Sequence, residues 1–335
     1  MNKLISLMAC AAAAFGLALT AAPAFAAPRN IKVAHANFPG TPHYRAWLDA
    51  KAFLDSHSGG KYILDVNDSY RLGTTATVFQ GVQFGTIHIC EDGSPNFAAF
   101  DPAIGIFDLP YLFPDYESAD TILDGPVGQK ILDHLSQKSG THAVAFLGNT
   151  FRGIFTNEKL EHITQSRGMK IRSTPSRAHV EGLRALGFAP TPMAWSETVT
   201  GVQQRVVSGF DIDLVTAVTM GLGEIAPYCF MSQHMYTPHL VVAGADWWES
   251  LSAEDRALFE QMFDVLKKKS IEYTRSADRT APADLTARGH VLTPIQPEEK
   301  AEWMKASADV YKAIPQIPAD IREEIEAELK RMGKI

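Results

Sequence analysis

Several signatures are missing from this 335-residue sequence. It has no C-x-x-C, no H-E-x-x-H, no G-x-S-x-G, no G-x-x-x-x-G-K-[ST] and no G-x-G-x-x-G, which removes the usual metal, hydrolase, nucleotide and dinucleotide motifs. No nucleophile, metal set or acid and base pair stands out in their place. The chain therefore reads as a binding protein without a cofactor rather than as an enzyme. Positive charge is in deficit: 31 Lys and Arg against 38 Asp and Glu give a net charge of −7, which argues against nucleic acid or anionic lipid as a partner. An anionic ligand needs positive charge gathered locally. Cysteine is scarce too. Of the three, Cys10 falls in the leader, and Cys90 and Cys229, 139 positions apart, show no disulfide framework. Two buried thiols are the simpler reading and a bridge the alternative.

The N-terminus carries an export signal. Lys3 precedes an apolar run from Leu4 to Leu19, and Ala24-Phe25-Ala26 precedes Ala27-Pro28, the order of a secretory signal peptide with an A-x-A processing site. A retained anchor needs roughly 20 apolar residues with polar flanks, so cleavage after Ala26 and a periplasmic destination are expected. Leu7-Met8-Ala9-Cys10 is only faintly a lipoprotein box, because the apolar core runs well past Cys10. No later stretch approaches about 18 consecutive apolar residues. Taking 26 residues from 335 leaves 309 and, with Lys3 gone, a net charge of −8. That length exceeds the roughly 250 to 300 residues at which one core stops growing, so two lobes are expected.

Along the chain, Asn30 to Ala36 alternates as a strand, Tyr44 to Ser56 has helical spacing, Tyr62 to Val66 is a strand, Thr75 to Phe84 a helix and Gly85 to Cys90 a strand. This βαβαβ order implies a parallel sheet with right-handed crossovers. Ligands then bind beyond the carboxyl ends of the strands, at the loops His35 to Thr41 and Glu91 to Asn96. Ala119 to Ser136 reads as one long helix, and the first lobe ends near Asn149. A second alternation follows: strands at Gly153 to Thr156, Gly168 to Arg172 and Gly209 to Asp213, helices at Ser176 to Leu186 and Ser196 to Val207. His239 to Ala243 is an apolar strand, Asp246 opens a loop, and Ser252 to Asp255 caps a long helix running to about Arg275. Pro297 to Ile314 and Pro318 to Met332 read as closing helices. No internal repeat is legible.

At Gly168-Met169-Lys170-Ile171-Arg172 and Ala185-Leu186-Gly187-Phe188-Ala189-Pro190-Thr191-Pro192-Met193 the chain closely resembles the extracytoplasmic solute receptors of tripartite ATP-independent periplasmic (TRAP) transporters. FDLPYLF at Phe107 to Phe113, FRGIFTN at Phe151 to Asn157, ADWWESLSAEDRALFE at Ala245 to Glu260 and Gln203-Gln204-Arg205-Val206-Val207-Ser208-Gly209 agree in consistent order over nearly the whole mature chain. The resemblance implies a two-lobe α/β periplasmic binding fold, the Venus flytrap, with crossing strands and a long lobe-spanning helix. It places one lobe at about residues 27–149 and 238–277, the other at about 150–237 and 278–305, and C-terminal helices at 306–335 packing on the lobes. The implied ligand is a small organic anion, a carboxylate by default, with a sulfonate or phosphate as the alternative. The implied partners are the small and large membrane subunits of an ion-gradient-driven permease, with the receptor itself a monomer. Presenting the ligand to a sensor is the rival role.

Arg172 matches the family arginine that meets the ligand carboxylate, and a planar guanidinium offers a fork matched to two carboxylate oxygens. The bland alternative is a surface pair with Glu181 or Glu197. Arg152 matches a second basic position; otherwise it pairs with an acid of the first lobe. Trp195 lies where the family often has an aromatic that packs on the ligand, against the alternative of a buried core residue. His35 and Asp92 sit at the two first-lobe loops, where they would read ligand hydroxyls or amines. Gly209-Phe210-Asp211-Ile212-Asp213 departs from the usual Gly-Gln-Glu-Asn-Pro, so Ile212 deletes an asparagine that bonds the solute, and Asp211 and Asp213 are candidates to bring acid to the cleft. His234 and His239, five apart, suit neither one strand face nor one helix face, so hinge packing is expected of them rather than a metal.

Overall fold

The computed structural model describes residues 27–335, so the export signal and Cys10 lie outside the described residues. The chain opens β1 (Arg29–His35), α1 (Pro42–His57), β2 (Tyr62–Asn67), α2 (Thr75–Gln83), β3 (Ile89–Gly93). Thr41 and Thr74 cap the two helices through their hydroxyls. Next come α3 (Tyr116–Asp124), α4 (Pro126–Ser139), β4 (Thr141–Leu147), β5 (Arg152–Thr156), β6 (Lys170–Ser173), α5 (Arg177–Ala185), β7 (Ala189–Pro192), α6 (Trp195–Gln203), β8 (Gly209–Asp213) and α7 (Leu214–Met220). The chain closes with β9 (Tyr228–Met231), β10 (His239–Gly244), α8 (Ala245–Glu249), α9 (Ala253–Ala287), β11 (Val291–Pro294), α10 (Pro297–Ser307) and α11 (Ala319–Arg331).

Two sheets result, in the orders β2-β1-β3-β10-β4 and β11-β9-β5-β8-β6-β7. Neither is wholly parallel, as the βαβαβ order alone implied. The βαβ strands pair in parallel, but β10 runs antiparallel between β3 and β4, and β5 antiparallel between β8 and β9. Each sheet buries both faces. The first is covered on one side by the core of Phe79, Phe107, Ile131 and Ile325, which seats α11 on this lobe, and on the other by Trp47, Leu54, Phe259 and Leu266. The second packs Phe155, Phe210 and Leu285 on one face and Ile171, Leu183 and Trp303 on the other.

Several elements differ from their sequence reading for identifiable reasons. The single helix expected at Ala119 to Ser136 is two, because Gly125 is extended and Pro126 cannot donate the hydrogen bond that would carry the turn onward. β3 starts only at Ile89, since the Thr86 and Ile87 amides both close on the Gly81 carbonyl. α6 ends at Gln203 rather than Val207 for the same reason, the Val206 and Val207 amides closing on Gly201. Ala245 to Glu249 is a short helix, not a loop. α9 runs to Ala287, through Pro282, because its buried face changes lobe along its length: Phe259, Met262 and Leu266 pack on the first lobe, Ala281 and Leu285 on the second.

There is an internal repeat after all. Gly81-Val82-Gln83 recurs as Gly201-Val202-Gln203, 120 positions on, and both α2/α6 and β3/β8 fall at that same offset. The turns between them match bond for bond, Gly85 and Arg205 alike adopting positive φ (74° and 57°). The strand orders β2-β1-β3-β10-β4 and β7-β6-β8-β5-β9 are also the same, so the lobes share one topology in which the antiparallel strand of each is exchanged between halves of the chain. Sequence identity between the halves is too local for the repeat to be read from composition or spacing.

Two of the segments that cross between the lobes lie side by side. Phe151 bridges Tyr236, the Arg152 amide donates to the Met235 carbonyl at 2.9 Å, and the Asn149 side chain donates to the Thr237 carbonyl at 2.9 Å. α9 braces them through Arg275, which stacks 3.7 Å over Tyr116, pairs with Asp120 at 2.7 Å and donates to the Asn149 carbonyl.

Candidate functional site

Between the lobes lies a cavity of about 100 Å³ at the carboxyl ends of β1, β3, β6 and β8, where an α/β sheet places its ligands. β6 delivers Arg172 to it. The residue is 2% exposed, its Nε donates to the Met193 carbonyl at 3.0 Å, and its guanidinium stands 5.4 Å from the Trp195 ring centre. Among the described residues no carboxylate pairs with it, neither Glu181, which bonds Arg184, nor Glu197, which bonds the Ala194 amide. Burial, with Arg152 beside it, pulls Arg172 down to about 10, so it stays charged at neutral pH. A buried cation without a counter-ion is costly unless an anion joins it.

Arg152, from β5, is employed differently. Its Nε meets Asp211 Oδ2 at 2.7 Å, one terminal nitrogen donates to the Asp211 carbonyl at 2.6 Å and the other to Thr237 Oγ1 at 3.3 Å. The acid it pairs with belongs to its own sheet, not to the first lobe. Asp211 is wholly enclosed, behind the cavity rather than in its wall. Its Oδ2 also accepts from His179 at 3.0 Å and lies 3.4 Å from His234. Burial alone would raise it, but Arg152 and His179 hold the Asp211 carboxyl well below the usual range. The expectation that Asp211 faces the solute is thus corrected: Asp213, at the carboxyl end of β8, borders the cavity instead, while Asp211, two residues further back on the same strand, is taken up by Arg152 and His179.

His35 is likewise displaced. Its ring turns beneath β1 onto Trp47, parallel at 6.1 Å, and Nδ1 accepts from the Asn37 amide at 3.2 Å, so it organises the loop without lining the cavity. Asp92 does line it, but burial raises its pKa and its oxygens already accept from the Gly93 amide, Asn96 and Thr75. Trp195 reaches the cavity from the start of α6 while its ring also meets Phe210 edge-on at 6.0 Å, so it is both wall and core. Ile212 takes its place in the wall where a polar side chain was expected from the resemblance.

Reasoning from the sequence passed over Asn37, Tyr70, Asn149 and Thr237 and read His239 as hinge packing, whereas all five border the cavity. The signal for Asn149, Thr237 and His239 was position alone, since they sit on the two paired crossing segments. His234 and His239 turn to different carboxylates, Asp211 and Glu91. Cys90 and Cys229 are free buried thiols in different sheets.

Two lobes of one topology around a cavity that presents a guanidinium without a carboxylate partner among the described residues define the chain as a two-lobed α/β binding protein for an anion. More particularly, the family described as bacterial extracellular solute-binding protein, family 7, matches residues 33–327, and the chain belongs to it. It is 27% identical over 308 residues to the C4-dicarboxylate-binding periplasmic protein DctP of Rhodobacter capsulatus, covering 90% of each chain. It is 26% identical over 294 residues to the 2,3-diketo-L-gulonate-binding periplasmic protein YiaO of Escherichia coli, covering 81% of this chain and 87% of the other. The crystal structure of a sugar acid binding protein from Advenella mimigardefordensis in complex with galactonate shares the fold at 24% identity, with a TM-score of 0.87 over 91% of this chain and 98% of that one.

Proposed function

We propose that the protein is the extracytoplasmic receptor of a TRAP transporter, exported by its N-terminal signal, which takes up a small organic anion in the interlobe cavity and passes it to a membrane permease made of a small and a large subunit. The observation that carries this is Arg172: a charged, 2% exposed guanidinium facing the cavity with no acid of its own among the described residues. An incoming carboxylate supplies the missing charge and both acceptors. Arg152, held by Asp211, adds field without being free to travel, and Trp195 gives the ligand body a flat wall. A carboxylate is the default because the named relatives are described as binding C4-dicarboxylates and a sugar acid. No described helix is long and apolar enough to cross a membrane, so delivery depends on the permease.

Closure follows from the same geometry. Ligand contacts come from both sheets, so a solute held by both lobes favours the closed form by as much as it gains there. The test is a thermal-shift screen of the mature chain against mono- and dicarboxylates, sugar acids, sulfonates, phosphates and amino acids. A fitting anion at a hundredfold excess over its dissociation constant stabilises by about 2.7 kcal/mol, and Arg172→Ala abolishes that shift while its own unliganded midpoint stays close to wild type. Stabilisation by no anion, or by one indifferent to Arg172, sinks the proposal.

A further inference from the structure

Glu91, in the middle of β3, is 1% exposed and has no lysine or arginine on it among the described residues. Three neutral groups surround it instead: the Asn37 amide and the Trp47 indole, at 3.2 Å, reach Oε2, and His239 Nδ1 reaches Oε1. A carboxylate only accepts, so the proton of His239 resides on Nδ1. Burial holds the imidazole below its ordinary value, and the ring is stacked on a second buried histidine, His43, at 4.2 Å. A neutral ring protonated at Nδ1 offers a bare lone pair at Nε2.

That lone pair faces the cavity. His239 borders it, Nε2 stands beside Gly93 at the end of β3, and no donor among the described residues reaches it. Asp213 repeats the situation across the cleft: one oxygen caps α7 through the Thr216 amide at 2.8 Å, and the other has no partner among the described residues. The cavity thus holds donors for an acid group and, apart from them, acceptors with nothing to accept. A ligand of carboxylate alone leaves those acceptors desolvated and unmatched, which is where polar discrimination is largest.

We propose that His239, oriented by Glu91, is a specificity-determining residue that selects acids bearing a hydroxyl group over the same acids without one. This rests on the anion-receptor reading above. The hydroxyl donates to Nε2 while the carboxylate lies on Arg172, and Glu91 is a positioning residue that never touches the solute.

Calorimetric titration with matched sets decides it: four- to six-carbon hydroxy acids, the same acids lacking hydroxyls, and their 2-amino counterparts. Wild type is expected to prefer a hydroxy acid roughly tenfold or more over its unhydroxylated match, the worth of one well-made hydrogen bond. His239→Phe, which keeps a ring on His43, loses that preference while still binding the unhydroxylated acid. His239→Gln, whose amide oxygen restores an acceptor, recovers part of it and guards against a folding defect in the first variant. Glu91→Gln, which frees the imidazole to take either tautomer, narrows the preference with its melt unchanged in shape. Equal binding of both acids by wild type, or a preference that survives in His239→Phe, overturns the role of His239 and leaves the receptor standing. Preference for the amino acid overturns the hydroxyl. Binding of no acid at all, with Arg172 intact, removes the receptor reading and this one with it.

Discussion

His43 is fully enclosed at the lobe crossing, its Nε2 3.0 Å from the Gly148 carbonyl. Burial, with His239 stacked on it, pushes its pKa down to about 3. In the unfolded chain a histidine titrates near 6.5, so between that value and about 3 the unfolded state binds the extra proton and stability falls as pH falls. At pH 5 this one residue removes about 2 kcal/mol. His35, His179 and His239 are lowered in the same direction by burial. Thermal melts at pH 7.5 and 5.0 should show a steep loss for wild type and a shallower one for His43→Gln, whose amide still reaches the carbonyl. Equal slopes would mean that His43 is already protonated in the fold. At this scale the sequence was legible in part. Arg152, Arg172, Trp195, Asp92 and Asp213 border the cavity, whereas His35 and Asp211 stand behind it. Asp211 and Asp213 share a strand face, so which of them meets a ligand depends on where β8 ends and on Arg152 and His179, partners far away in the chain that engage Asp211.

The turn after α2 and its repeat after α6 put the same backbone demand on different residues. Gly85 meets φ 74° with open space around it, and Arg205 meets φ 57° with a side chain attached. A left-handed residue bearing Cβ costs roughly 1 to 2 kcal/mol, less the greater freedom that glycine loses on folding. Arg205→Gly should therefore stabilise the fold, by up to about 1 kcal/mol, and Gly85→Ala should destabilise it by a similar amount. Opposite results in a chemical denaturation series would mean that the turns relax. Long helices and the alternating strands β1, β2 and β8 were legible from periodicity, and β10 from its apolar run. The short strands β7, β9 and β11 were not, for four residues carry too few alternations to register, and β4 was hidden in the run after α4. Helix ends failed wherever a tertiary contact, not a cap, decided them, as at α9, whose buried face passes from one lobe to the other.

For the molecule as a whole, the cavity draws on both sheets, and the described residues pass between the lobes at the two paired segments, along α9, and from α10, whose Trp303 packs on the second lobe, to α11, whose Ile325 packs on the first. Such a joint bends without breaking either core. Small-angle scattering should therefore show a smaller radius of gyration when the acid found in the thermal screen is added, and no change with Arg172→Ala. An unchanged radius in wild type would mean that the lobes are already shut before the ligand arrives. Two lobes were foreseeable from length alone. Their common topology was not, because the match between halves survives mainly in backbone hydrogen bonds around Gly81 and Gly201.

The exchanged antiparallel strand sets an order of assembly. β10, at His239–Gly244, sits between β3 and β4 in the first sheet, so β4 has no neighbour to pair with until residue 244 has emerged. The second sheet draws β5 to β9 from one unbroken stretch, Arg152–Met231, and lacks only the edge strand β11. The half of the protein synthesised first therefore waits on a strand that emerges only after β5 to β9, and a chain arrested before β10 carries an open gap in its N-terminal sheet for a chaperone to shield.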